Sequence, residues 1–173
     1  LKNEIVILNS YSITEKVIEE LGLGITYYQH SLLQTHEMFE NSPFTVILDS
    51  NSNQLTGNEF EVRIIDDNSF NLSVVTKDQF SYNLIDEKLD KTILANLNIN
   101  EKHQFGELIT SNFFSFTINK NIFFNLDELL DKNKTYSFKL SEIDKLAHKL
   151  MITITINPIN KETSVLKLSI KDK

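Results

Sequence analysis

Apolar positions change their spacing twice along this chain, dividing it into helical ends and a strand-rich middle. At about 100° per residue, Leu1, Ile5 and Leu8 share one helical face, while Ile13, Val17 and Leu21 share another turned by roughly 120°. One straight helix cannot bury both faces, so the pattern predicts two helices broken at Asn9 to Ser12. Ser12 followed by Glu15 has the spacing of a capping box that would open the second helix, and Gly22 or Gly24 supplies a left-handed stop.

From Pro43 onward the period shortens to two. "FTVILD" (44–49) reads as a strand, and "EFEVRII" sets Phe60, Val62 and Ile64 against Glu61, Arg63 and Ile65. After "DDNS" the alternation resumes at Phe70, Leu72 and Val74, which predicts an antiparallel hairpin. "QFSYNLI", "FFSFTI" (113–118) and "TYSFKL" (135–140) continue the strand pattern. Ser141 followed by Asp144 then predicts a capped helix with Ile143, Leu146, Ala147 and Leu150 as its apolar stripe, and "MITITI" and "SVLKLSI" predict two closing strands. The fold class expected is α+β: a mixed or antiparallel sheet packed with short helices at both ends of the chain. It is expected as a single domain spanning 1 to 173, with a β-rich insertion at about 44–135.

Composition narrows the function more than the fold. With 173 residues and 40% hydrophobic residues the chain can bury a core, and 24 acids against 17 bases give a net charge of −7. The bases are scattered singly, which disfavours nucleic acid and anionic membrane surfaces, and no apolar run approaches the roughly 20 residues of a spanning helix. The piece is expected to be soluble. Cysteine is absent, which excludes disulfides and thiol chemistry. The chain begins at Leu1 rather than Met, and Leu1 and Lys173 read as the limits of a segment trimmed from a larger protein.

Candidate chemistry is sparse. "DSNSNQLTGNEF" places Asp49, Asn51 and Asn53 at the first three ligand positions of a calcium loop, but Gln54 stands where the sharp turn needs glycine and Phe60 where a bidentate glutamate belongs. An Asn-rich turn between strands is the better reading. His30, His36, His103 and His148 lack the spacing of metal ligands. Asp66 and Asp67 read as a polar hairpin turn rather than a carboxylate pair, and Arg63 as a cross-strand partner of an acid. No phosphate loop or G-x-S-x-G nucleophile motif is present, so no catalytic, cofactor-binding or metal-binding residue is nominated, and no cofactor is expected.

Read as a whole, "LKNEIVILNSYSITEKVIEELGLGITYY" resembles the first soluble segment of the chain-length-determinant family of polysaccharide co-polymerases. The resemblance rests on Ile7, Leu8 and Ser10, then Val17 and Ile18, then Leu21 and Leu23. Downstream, "SPFTVILD", "FEVRIIDDNSFNL", "HQFGELI" and "SVLKLSIKD" resemble the larger version of this domain found beside bacterial exopolysaccharide tyrosine autokinases. The resemblance implies a periplasmic domain on the outer face of the inner membrane, between two transmembrane helices of a parent that often carries a cytoplasmic kinase domain. It implies a non-enzymatic role in chain-length control or export of exopolysaccharide or capsule. The partners implied are further copies of the chain, the polymerase or export machinery, and nascent polysaccharide. The β-rich stretch departs from the smallest family members and has no assigned role. From the residues alone, a carbohydrate-binding β module remains the alternative, and it calls for an exposed aromatic pair on one sheet face.

Overall fold

The computed structural model describes residues 2–39, 41–76, 79–83, 88–94, 97–131, 133–160 and 165–171. The architecture is α+β, with antiparallel strand pairing throughout its sheets. The chain forms two compact units: residues Ile25–Ser141, and the two terminal segments Leu1–Gly24 and Glu142–Lys173 together. The β-rich stretch expected at about 44–135 falls within the first of these.

The central unit is built on a six-stranded sheet. Its strands are β1 (Ile25–His30), β2 (Thr35–Glu37), β5 (Glu59–Ile64), β6 (Ser69–Thr76), β9 (Leu97–Gln104) and β12 (Thr135–Leu140), in the order β2-β1-β12-β5-β6-β9. Three-stranded sheets are formed by β3 (Phe44–Leu48), β10 (Leu108–Thr110) and β11 (Ser115–Lys120), and by β4 (Asn53–Gln54), β7 (Gln79–Asn83) and β8 (Lys88–Leu94). The expected hairpin pairs Ile64 with Phe70 and Val62 with Leu72. Strand alternation puts Phe60, Val62, Ile64, Phe70, Leu72, Val74 and Phe138 on one face, all buried. There Phe60 stacks on Phe138 at 4.9 Å and meets Phe116 edge-on at 5.2 Å, so phenylalanines join the six-stranded sheet to the β10-β11-β3 sheet.

Alternation was legible in most of these strands. Strands β2, β4, β8, β9 and β10 lay outside the expectation, β4 because Asn53 and Gln54 read as part of a turn, as did the one-turn helix α3 (Leu126–Leu129). In β9 only Leu97 and Ile99 carry the apolar period; Glu101, which is exposed, and His103, which is largely buried beside Phe70, then occupy the same face, so the alternation of apolar residues stops half-way along the strand.

The terminal unit contains α1 (Lys2–Leu8), α2 (Tyr11–Glu20), α4 (Ile143–Thr153) and the hairpin β13 (Ile154–Pro158) with β14 (Leu166–Ile170). The break between α1 and α2 is real, but Ser10 rather than Ser12 holds the N-cap position, and neither α2 nor α4 has a side-chain cap bond. Glu142, not Ser141, precedes α4, and its carboxylate takes Lys145 at 2.7 Å. Gly22, at φ +64°, ends α2: Leu23 N–H reaches Ile18 O at 2.9 Å and Gly22 N–H reaches Glu19 O at 3.1 Å, the paired bonds of a left-handed helix stop. Ile18 and Ala147 are fully buried where α2 meets α4.

Candidate functional site

The six-stranded sheet has a second face, and it is polar. Residues two apart share a face, so Glu59, Glu61 and Arg63 of β5 lie with Ser69, Asn71 and Ser73 of β6 and with Asn100, Lys102 and Gln104 of β9. On the other side of β5 the same face continues through Ser137 and Lys139, then through Tyr28 and His30. Asn71 and Asn100 are joined amide to amide, and Arg63 lies 3.3 Å from Glu61 on its own strand rather than across to a neighbour.

At the centre of this face three strands bring His30, Glu59 and Ser137 together. Ser137 Oγ donates to Glu59 Oε1 at 2.5 Å; His30 Nε2 lies 2.8 Å from Ser137 Oγ and 2.7 Å from Glu59 Oε1. His30 Nδ1 lies 3.0 Å from Thr35 Oγ1. This pattern assigns the ring proton to Nε2, which faces the carboxylate, and lets Nδ1 accept from Thr35.

The residue types are those of a hydrolase triad, but the geometry differs from one. A triad uses both ring nitrogens, the acid on Nδ1 and the serine on Nε2, so that the serine proton can leave for the ring. Here acid and serine share Nε2, the serine proton is committed to Glu59, and Ser137 is only 1% exposed in mid-strand. The cluster ties three strands together and offers hydrogen-bonding groups around it.

The other sequence candidates resolve into turns and pairs. Asp49 Oδ1 accepts Asn51 N–H at 3.0 Å and Oδ2 accepts Ser52 Oγ at 2.7 Å, so the calcium-like spacing folds as a turn whose carboxylate faces its own backbone. The Ser52 and Asn51 donors hold Asp49 below the usual carboxylate range. Gln54 is wholly buried, and its amide donates to Ser115 O at 2.7 Å and to Asp49 O at 3.1 Å. Asp66 caps the β5–β6 turn, while Asp67 pairs with Lys120 at 3.1 Å. His36 sits opposite Gln29 at the sheet edge, and His103 lies 3.7 Å from Glu101 and 3.9 Å from Glu107.

In the terminal unit, His148 Nδ1 donates to Asp144 O at 2.9 Å while its ring lies 5.4 Å from that of Tyr11. Partial desolvation, then hydrogen bonds to Glu15 and Asp144, raise the Tyr11 hydroxyl well above its ordinary range. Glu15 therefore interacts with Tyr11 on its own helix instead of closing a capping box. Among the described residues, no group of three or more His, Cys, Asp or Glu is placed to hold a metal ion, and no helix is long and apolar enough to cross a membrane.

The His30, Glu59 and Ser137 cluster left no trace in the sequence beyond three polar positions in strands, because its outer members are 107 residues apart. No protein-family model and no curated protein matches this chain.

Proposed function

We propose that this chain is the periplasmic assembly domain of an inner-membrane polysaccharide co-polymerase of the chain-length-determinant family. It acts without chemistry of its own, by templating, to set the length or aid the export of an exopolysaccharide or capsule. Its parent carries a tyrosine autokinase domain and assembles as a homo-oligomer beside the polymerase or export machinery. One observation supports this reading above the others. The opening helices and the closing strand, which carry the resemblance at the two ends of the sequence, fold in one unit, while the stretch at about 44–135 that departs from the smallest family members lies within the other, Ile25–Ser141. That second unit is entered along β1 and left along β12, which pair as neighbours from Ile25 with Leu140 to His30 with Thr135, so its two ends lie side by side.

The polar sheet face favours a second reading, a module that binds carbohydrate. It offers hydroxyl, amide and carboxylate groups, with Tyr28 as the aromatic among its described residues where that reading calls for a pair. The coding sequence on either side of this segment tests the first reading. It is expected to specify an apolar span of about 20 residues before residue 1 and another after residue 173; a gene with neither would overturn it.

A further inference from the structure

Two asparagines carry the N-x-S/T pattern of an N-glycan acceptor, Asn71 with Ser73 and Asn133 with Thr135. The fold treats them differently. Asn71 lies in β6, paired with β5 on one side and β9 on the other, and its side-chain amide is joined to that of Asn100. Presenting it to an enzyme would break ladder bonds along both sides of an inner strand. Asn133 stands exposed in the turn between α3 and β12. Asp131 builds that turn: its backbone oxygen accepts Lys134 N–H and its Oδ1 accepts Asn133 N–H, each at 3.0 Å. Among the described residues, the Asn133 side-chain amide has no hydrogen-bond partner. Thr135 is the first residue of β12, paired with His30 of β1, and the pairing with β5 starts only at Tyr136. The segment therefore peels from the sheet for the loss of a few bonds at a strand end.

We propose that Asn133 is the acceptor of an N-linked oligosaccharide, delivered by a bacterial oligosaccharyl transferase from a polyprenyl-diphosphate donor. In that transfer the Asn133 amide nitrogen bonds to the anomeric carbon of the glycan and gives up one proton. The bond between that carbon and the diphosphate oxygen breaks, and the lipid diphosphate leaves with the electron pair. Sequence favours the same residue as the fold. "DKNKT" (131–135) sets an acid two places before the asparagine, as the bacterial acceptor pattern does, whereas Ser69 holds that place before Asn71. None of the described residues from 131 to 135 is buried, so a glycan there displaces no core packing. This modification rests on the proposed function for its location, the outer face of the inner membrane; the competence of the acceptor does not.

Incubating the folded 173-residue chain with a bacterial oligosaccharyl transferase and its lipid-linked oligosaccharide tests it, read by intact mass and peptide mapping. A gain of one glycan on the peptide that holds Asn133 is expected. Asn133→Gln and Thr135→Ala abolish the gain, and Thr135→Ser and Asn71→Gln keep it. Asp131→Asn, whose amide oxygen still accepts the turn bond, lowers it. Asn133 and Thr135 lie outside the core, so their variants keep the wild-type circular dichroism. A folded chain left unmodified overturns the proposal, whether or not the same enzyme modifies a free "DKNKT" peptide, and so does a glycan carried on Asn71. Neither result bears on templating, which stands or falls with the flanking membrane spans.

Discussion

Asp66 shows how one side chain fixes a turn. Its Oδ1 accepts the N–H groups of Asn68 and Ser69, each at 2.8 Å, and its Oδ2 accepts the Ser69 hydroxyl at 2.7 Å. The Ser69 hydroxyl, followed by the Asn68 N–H, stabilises the charged form and lowers the carboxyl from its usual value. A depressed folded pKa stabilises the fold fully above the ordinary Asp value of about 3.9 and loses that contribution as pH falls through the folded value. Asp66→Ala is therefore expected to lower stability at pH 7 and to leave it less dependent on pH between about 4 and 2 than wild type, as read by urea unfolding across that range. This residue was legible because turn chemistry is local: "DDNS" between alternating runs has few other uses. Gln54 was not. Its burial depends on Ser115, far away in sequence, whose backbone N–H and C=O face the same amide, and a glutamine beside an Asn-rich turn carries no sign of that.

Among the elements, periodicity located both long helices and most of the core strands, and erred where local patterns compete. "MITITI" reads as a strand, yet α4 continues through Thr153, whose hydroxyl turns back to Lys149 O and Leu150 O at 3.1 Å. The alternation of Ile152, Ile154 and Ile156 becomes a strand only from Ile154, where Ile170 supplies a partner. Ser12 and Glu15 match a capping box by spacing, but the change of helical face is completed earlier, at Ser10, and Glu15 is drawn to Tyr11. Gly22 was legible as one of two possible stops. At φ +64° an added Cβ would meet no atom within 4 Å, so the cost of Gly22→Ala is backbone strain alone. The variant is expected to lose about 1–2 kcal/mol in urea unfolding. A loss near zero would mean that the helix stop relaxes.

At the scale of the whole molecule, the sequence marks the boundary between helical ends and strand-rich middle because the hydrophobic period itself changes there. It does not specify the order β2-β1-β12-β5-β6-β9, since every strand offers the same alternation and long-range pairing is decided by side-chain fit. The stacked Phe60 and Phe138, and the edge-on Phe116, show that fit; alternation placed each residue on the core side without naming its partners. The polar face arose in the same way, as the other half of the alternation. The functional account rests on the association of the chain's two ends in one unit, with the β-rich stretch between them in sequence belonging to the other. Its most direct test is the size distribution of surface polysaccharide from cells in which the gene is deleted, compared by gel with the parent strain. The account predicts an altered length distribution, or loss of long chains, with the sugar composition unchanged. An unchanged length distribution and an unchanged amount of surface polymer would contradict it.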